Sequence, residues 1–213
     1  MDILFTGFTP FGGERVNPAW EAVSRLPARV MGAHIRRLEV PTAFTASGEA
    51  LTDALRSLRP DAVICVGQAG GRTAITPERV AINLMDARIP DNHGFQPSDM
   101  PVCPDGPAAY FSTLPLRAIE ARIRAAGIPV SLSCTAGTFV CNSLMYRALR
   151  LAEQEYPAMR AGFIHVPYET GQVIGKPTGT PSLSLDHIIR ALICAAETVV
   201  DVSAAQIERS TAP

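Results

Sequence analysis

A cysteine placed where a helix begins is the residue here best able to do chemistry. In Ser133-Cys134-Thr135-Ala136-Gly137-Thr138-Phe139-Val140-Cys141-Asn142, small and hydroxyl residues close an apolar run. Helical spacing then follows in Leu144, Met145, Ala148, Leu149 and Ala152. Unpaired N–H groups at a helix start favour a thiolate, so Cys141 is the candidate nucleophile. Of the five cysteines, Cys65 and Cys194 sit in apolar patterns and read as core, Cys103 has no chemical context, and Cys134 lies before the turn. A cysteine nucleophile needs a base and a group that orients the base. His165 ends the apolar run Phe163-Ile164-His165-Val166, whereas His34, His93 and His187 read as packing or solvated residues. The carboxylates are less distinctive. Glu78 lies where a loop enters a strand, and Asp86 and Asp91 flank Arg88 in what reads as a local turn network, so Glu78 is one of several orienters.

Two glycine-rich turns follow predicted strands, Gly7-Phe8-Thr9-Pro10-Phe11-Gly12-Gly13 and Gly67-Gln68-Ala69-Gly70-Gly71-Arg72. Neither has the spacing of a phosphate-binding loop, and aromatics in such a turn favour a flat, apolar ligand. Lys176 is the only lysine among nineteen basic residues, and it lies in a Gly/Pro-rich stretch without a Walker pattern. Schiff-base and Walker-type chemistry are set aside. No His, Cys or Asp cluster has metal-ligand spacing.

These residues must be positioned by alternating strands and helices. Strands are predicted at Ile3–Thr6, Ile35–Val40, Asp61–Gly67, Val80–Leu84, Val130–Leu132 and Gly162–Val166. Helices are predicted at Pro18–Leu26 with Asn17 as N-cap, Phe44–Leu58, Leu116–Ala126, after Cys141, and from Leu185 to Val202. Such alternation implies a single α/β domain over residues 1–213, a three-layer α/β/α sandwich around a largely parallel, mixed sheet. The long segments 67–79, 86–113 and 167–183 are expected to build the site at the carboxyl ends of the strands. A hydrophobic fraction of 47% excludes disorder, and a net charge of −1 offers nothing to nucleic acid or an anionic membrane. There is no signal-peptide pattern, membrane-length apolar run or regular disulfide spacing, which predicts a reduced, cytoplasmic protein.

In combination the segments resemble pyroglutamyl peptidase I, a cysteine peptidase family. The matching pieces include Thr6-Gly7-Phe8-x-Pro10-Phe11-Gly12-Gly13 with Asn17-Pro18-x-Trp20, and Gly70-Gly71-Arg72 through Glu78 to Asn83. Further pieces are Asp86 to Asn92 with Gly94, Gly106 to Tyr110 with Thr113-Leu114-Pro115, Thr135 to Asn142, and Gly162 to Tyr168. The chain departs from the pattern after Pro167, and Cys134 stands where the family commonly has asparagine.

The resemblance implies hydrolysis of the amide after an N-terminal pyroglutamyl residue by a triad of Cys141, His165 and Glu78, through a thioester. It assigns the oxyanion to the Cys141 backbone N–H and Arg88. The ring would be held by Phe8, Phe11 and Phe139, with Asn17 and Gln68 as polar partners, and Val140 is counted among the substrate-binding residues. No cofactor is implied; the partners are a pyroglutamyl peptide and further copies of the chain in a homo-oligomer, a tetramer or dimer. A helix N-terminus and an imidazolium are expected to lower the thiol from its usual value of about 8.5. Two rival readings are a nucleoside phosphorylase-like transferase and a non-catalytic binding protein for cyclic amides. The first leaves Cys141, His165 and Glu78 without a task, and turnover separates the second.

Overall fold

The structure is a computed structural model that describes the backbone of residues 1–211 and the side-chain surroundings of residues 1–205. In chain order the strands are β1 (Asp2–Phe8), β2 (Arg29–Val30), β3 (Ala33–Val40), β4 (Ala62–Gln68), β5 (Thr76–Pro77), β6 (Val80–Ile82), β7 (Ala109–Phe111), β8 (Arg160–Val166), β9 (Tyr168–Glu169) and β10 (Ser182–Leu183). The helices are α1 (Pro18–Ser24), α2 (Phe44–Leu58), α3 (Leu116–Ala125), α4 (Val140–Gln154) and α5 (Leu185–Thr211), with a short 3-10 turn at Thr170–Val173. Six strands form the central sheet in the order β2-β3-β1-β4-β8-β5. The four long strands run parallel, and β2 and β5 are antiparallel at the two edges.

Side-chain alternation along each strand divides the core into two layers. Ile3 and Phe5 of β1, Ile64 and Val66 of β4, and Ile164 and Val166 of β8 pack against α1, α3 and α5. Leu4 and Phe8, Val63 and Cys65, and Ala161 and Phe163 pack on the opposite face against α2 and α4. Strands covered on both faces read as continuous apolar runs, which is why β4 and β8 are visible in the sequence. Among the described residues no helix is long and apolar enough to cross a membrane.

Local chemistry sets the helix ends. The Asn17 side chain accepts a 3.1 Å hydrogen bond from the Ala19 N–H, and Pro18 occupies the first helical position of α1. The first turn of α2 lacks a cap of its own, and Asp91 supplies one from a distant loop: its Oδ2 accepts from the Phe44 N–H at 2.9 Å. Asp91 Oδ1 also accepts from the backbone of His93 and Phe95, and the residue is buried. What reads in the sequence as a local turn network therefore fastens the loop carrying Arg88 to the start of α2.

Two expectations change, and one strand has no counterpart among those predicted. Val130–Leu132 is not a strand: the segment makes only an isolated bridge from Val130 to Ile75. Pro129 cannot donate there, although its carbonyl accepts from the Ile75 N–H. The strand at 80–84 is shorter than expected and pairs with β7 in a separate antiparallel ribbon outside the central sheet. The edge strand β5 is only two residues long, Thr76 and Pro77, and a segment that short carries no periodicity to read.

Candidate active site

The pairing of β4, β8 and β5 brings the chemistry together. His165 lies opposite Gly67 on one side and opposite Thr76 on the other. Glu78 follows β5 directly, and its N–H donates to the Phe163 carbonyl at 2.9 Å. The carboxylate thus reaches His165 from the antiparallel edge, with 2.7 Å between His165 Nδ1 and Glu78 Oε1. Both residues are buried.

Cys141 enters from α4, whose first turn has no side-chain cap and begins at Val140. Its N-terminal N–H groups are left for another acceptor. The thiol lies over Gly67. A Cβ built at Gly67 would stand 2.8 Å from Cys141 Sγ and 2.7 Å from Phe163 Cζ, too close for either atom. The glycine is therefore a hollow in the sheet into which the sulfur descends, one strand from the imidazole. We expect Gly67→Ala to fold yet lose roughly 100-fold in kcat, because it displaces the Cys141 sulfur by about an ångström. Hydrolysis kinetics beside a thermal melt would check this, and wild-type turnover would show that the hollow does not matter.

A cavity of about 580 Å³ opens over these groups. Phe8, Phe11, Asn17, Gln68, Arg88, Phe139, Cys141 and His165 all line it. Phe139 stands edge-on to Phe44 at 5.3 Å and 6.3 Å from Phe11, so the ring wall is braced by α2. Asn17 borders the cavity while its oxygen caps α1 and its amide donates to the Thr9 carbonyl. The Val140 side chain, expected among the substrate-binding residues, is fully buried in the core and does not line the cavity, and its backbone stands at the start of α4. Glu78 lies behind His165 and does not border the cavity.

Arg72 escaped the sequence reading. Its guanidinium donates to Glu78 Oε1 at 2.6 Å, to the Thr76 hydroxyl, and to the Thr135 carbonyl at 3.1 Å. One carboxylate oxygen thus serves both the imidazole and a guanidinium, and Arg72 itself borders the cavity. The available signal was an arginine closing the turn after β4, six residues before Glu78. Thr42 and Tyr168 also line the cavity and were not singled out as site residues, and Asp86, weighed beside Glu78 as an orienter, lines it too.

The electrostatics follow from enclosure. Burial opposes ionisation of Glu78, yet contacts from His165, Ser133 and Arg72 hold its carboxyl below the usual range. Burial pulls the His165 imidazole below its ordinary value, against the support of Glu78. Burial also pushes the Cys141 thiol up to about 12, with the Glu78 charge adding to the rise and Arg72 opposing it. The expected resting thiolate is therefore replaced by a neutral thiol beside a neutral imidazole. Because His165 Nδ1 faces an ionised carboxylate it carries the proton, leaving Nε2 as the basic nitrogen.

The fold is a single α/β domain whose cavity is lined by a helix-start cysteine and by a histidine paired with a buried carboxylate, an arrangement suited to a cysteine hydrolase. Residues 1–202 match the family described as pyroglutamyl peptidase, and the chain belongs to that family. It is 56% identical over 201 residues to the pyrrolidone-carboxylate peptidase of Streptococcus pyogenes serotype M4, covering 94% of this chain and 93% of the relative. The crystal structure of pyroglutamyl peptidase I from Bacillus amyloliquefaciens is similar with a TM-score of 0.89 at 52% identity, covering 93% and 96% of the two chains. A pyrrolidone carboxyl peptidase mutant from Pyrococcus furiosus superposes with a TM-score of 0.90 at 40% identity, covering 94% and 99%.

Proposed function

We propose that this protein hydrolyses the amide bond that follows an N-terminal pyroglutamyl residue, releasing free pyroglutamate and a peptide shortened by one residue. The observation that carries this reading is the buried Glu78–His165 pair at 2.7 Å beside a cavity shared by Cys141 and the aromatic wall. A pyroglutamyl ring is a flat, neutral lactam. Phe8, Phe11 and Phe139 offer it apolar faces, and Gln68 and Asn17 border the same space. An ordinary N-terminus would have to bury an ammonium group here without a designed partner, which is costly.

In this mechanism Cys141 Sγ attacks the pyroglutamyl carbonyl carbon as its proton passes to His165 Nε2. The imidazolium formed is supported by Glu78, whose carboxyl is held below the usual range by His165 itself, Ser133 and Arg72. The carbonyl oxygen becomes an oxyanion held by the Cys141 backbone N–H and Arg88. Collapse breaks the C–N bond, His165 returns its proton to the leaving amine, and a thioester remains. Water then gives a proton to His165 and attacks the thioester; expulsion of the thiolate, which recovers that proton, frees pyroglutamate. The cycle draws on side chains, the α4 N-terminus and water.

The reading carries with it a reducing, cytoplasmic setting in which the thiol stays free, consistent with five unpaired cysteines. It also carries a homo-oligomer, tetramer or dimer, as in the family it resembles. To test the activity, the protein is incubated with a short peptide beginning with pyroglutamate and with the same peptide beginning with glutamine or proline. Release of pyroglutamate from the first alone is expected. Cleavage of all three, or of none, would overturn the proposal.

A further inference from the structure

The segment after Pro167 reaches back to the cavity through one side chain. Gln172 lies in the 3-10 turn, and its Oε1 accepts a 3.0 Å hydrogen bond from the Glu169 N–H. A backbone N–H can only donate, so this bond fixes which end of the Gln172 amide is oxygen. The other end, Nε2, therefore donates: to Gln68 Oε1 at 3.0 Å, to the Val16 carbonyl at 3.3 Å and to Glu14 Oε2 at 3.4 Å. All three partners are acceptors, so the assignment is consistent at every contact.

The chain of donors has a consequence for Gln68. Its oxygen is occupied by Gln172, so its Nε2 is the end that remains, and Nε2 makes no hydrogen bond among the described residues. Gln68 ends β4, is 9% exposed and borders the cavity. An amide that could otherwise turn either way is thereby presented as a donor. The segment is fastened a second time by Lys176, the only lysine, which pairs with Glu14 Oε1 at 2.5 Å and lies 4.5 Å over the ring of Tyr168.

We propose that Gln172 is a positioning residue for ring-carbonyl specificity: by donating to Gln68 Oε1 it aims Gln68 Nε2 at the lactam carbonyl of the substrate. The inference rests on the pyroglutamyl reading above. The lactam carbonyl is the acceptor that separates a pyroglutamyl ring from a prolyl ring of the same size. A site built to donate to it leaves a buried donor unpaired when the carbonyl is missing.

Two substitutions of similar reach give opposite expectations. Gln172→Glu replaces the donor with an anion that Gln68 Oε1 and Glu14 both repel, releasing the Gln68 amide to turn over. Gln172→Lys keeps a donor toward both acceptors. With pyroglutamyl-4-nitroanilide, Gln172→Glu should raise KM about tenfold while kcat stays within about threefold, and Gln172→Lys should hold both within about threefold. In a Gln68→Met background Gln172→Glu should have no further effect, because its action passes through Gln68. Should Gln172→Glu lose the native thermal melt, Gln172→Met takes its place with the same expectation. An unchanged KM in the donor-less variant would overturn the inference. Equal losses in the glutamate and lysine variants, or the same KM rise with Gln68 already removed, would do so too. Wild-type turnover of the anilide is the control: its absence would remove the pyroglutamyl reading itself rather than the role of Gln172.

Discussion

Cys141→Ala should reduce pyroglutamate release by roughly 10⁵-fold, since the loss of a covalent nucleophile leaves only binding and oxyanion stabilisation. The fold should be little affected. Cys141 is only partly buried, its sulfur occupies the hollow above Gly67, and alanine removes that one atom without introducing a polar group. A fluorogenic pyroglutamyl amide measures the rate, and a thermal melt shows that the native state persists. Cys65 offers no substitute: it is fully buried in the core, and burial pushes its thiol up to about 12. Cys134 is exposed, stands before the helix and is not among the residues that line the cavity. Residual activity within tenfold of wild type would end the assignment of Cys141.

Glu78→Gln should cost about 10³- to 10⁴-fold in kcat with little change in KM, as expected when the orienting carboxylate of a triad becomes an amide. The shape is kept and the charge is lost. An amide no longer compensates the imidazolium that forms when His165 takes the thiol proton, and it leaves Arg72 without its counter-charge behind the site. KM is spared because Glu78 does not border the cavity. The pH dependence has a definite sign. Glu78 supports protonation of His165, while burial and Arg72 oppose it. Without the carboxylate the imidazole binds a proton more weakly, so the acid limb of kcat/KM should move to lower pH. The Cys141 thiol also feels the Glu78 charge, and the rise that charge adds should relax in the same variant. A kcat within threefold of wild type and an unmoved acid limb would show that Glu78 has no part in the reaction.

How much of this was legible depended on whether a residue's role is local. The helix Phe44–Leu58 is visible because Phe44, Leu51 and Leu55 recur on one face, and α1 is announced by Asn17 and Pro18. Cys141 and His165 can be singled out by their positions at a helix start and a strand end. Glu78 could not be told from Asp86 or Asp91 by residue type, because its partner lies 87 residues away across a two-residue edge strand. Only the resemblance to a family singled it out. Arg72 went unnoticed for the same reason: its task is defined by an oxygen it shares with a histidine on another strand. The state of the thiol was misjudged because helix direction is readable in sequence, whereas the burial that opposes ionisation is made by strands and loops from the whole chain.

The central claim is that the sulfur of Cys141 becomes acylated by the pyroglutamyl group during turnover. Mixing the protein with a pyroglutamyl ester, quenching in acid within the first turnover and analysing the peptides by mass spectrometry addresses it directly. The account predicts a mass increase of one pyroglutamyl group on the peptide bearing Cys141, lost on longer incubation as free pyroglutamate appears and absent after Glu78→Gln at the same early time. Acylation of a different residue, with Cys141 unmodified while product accumulates, would contradict it.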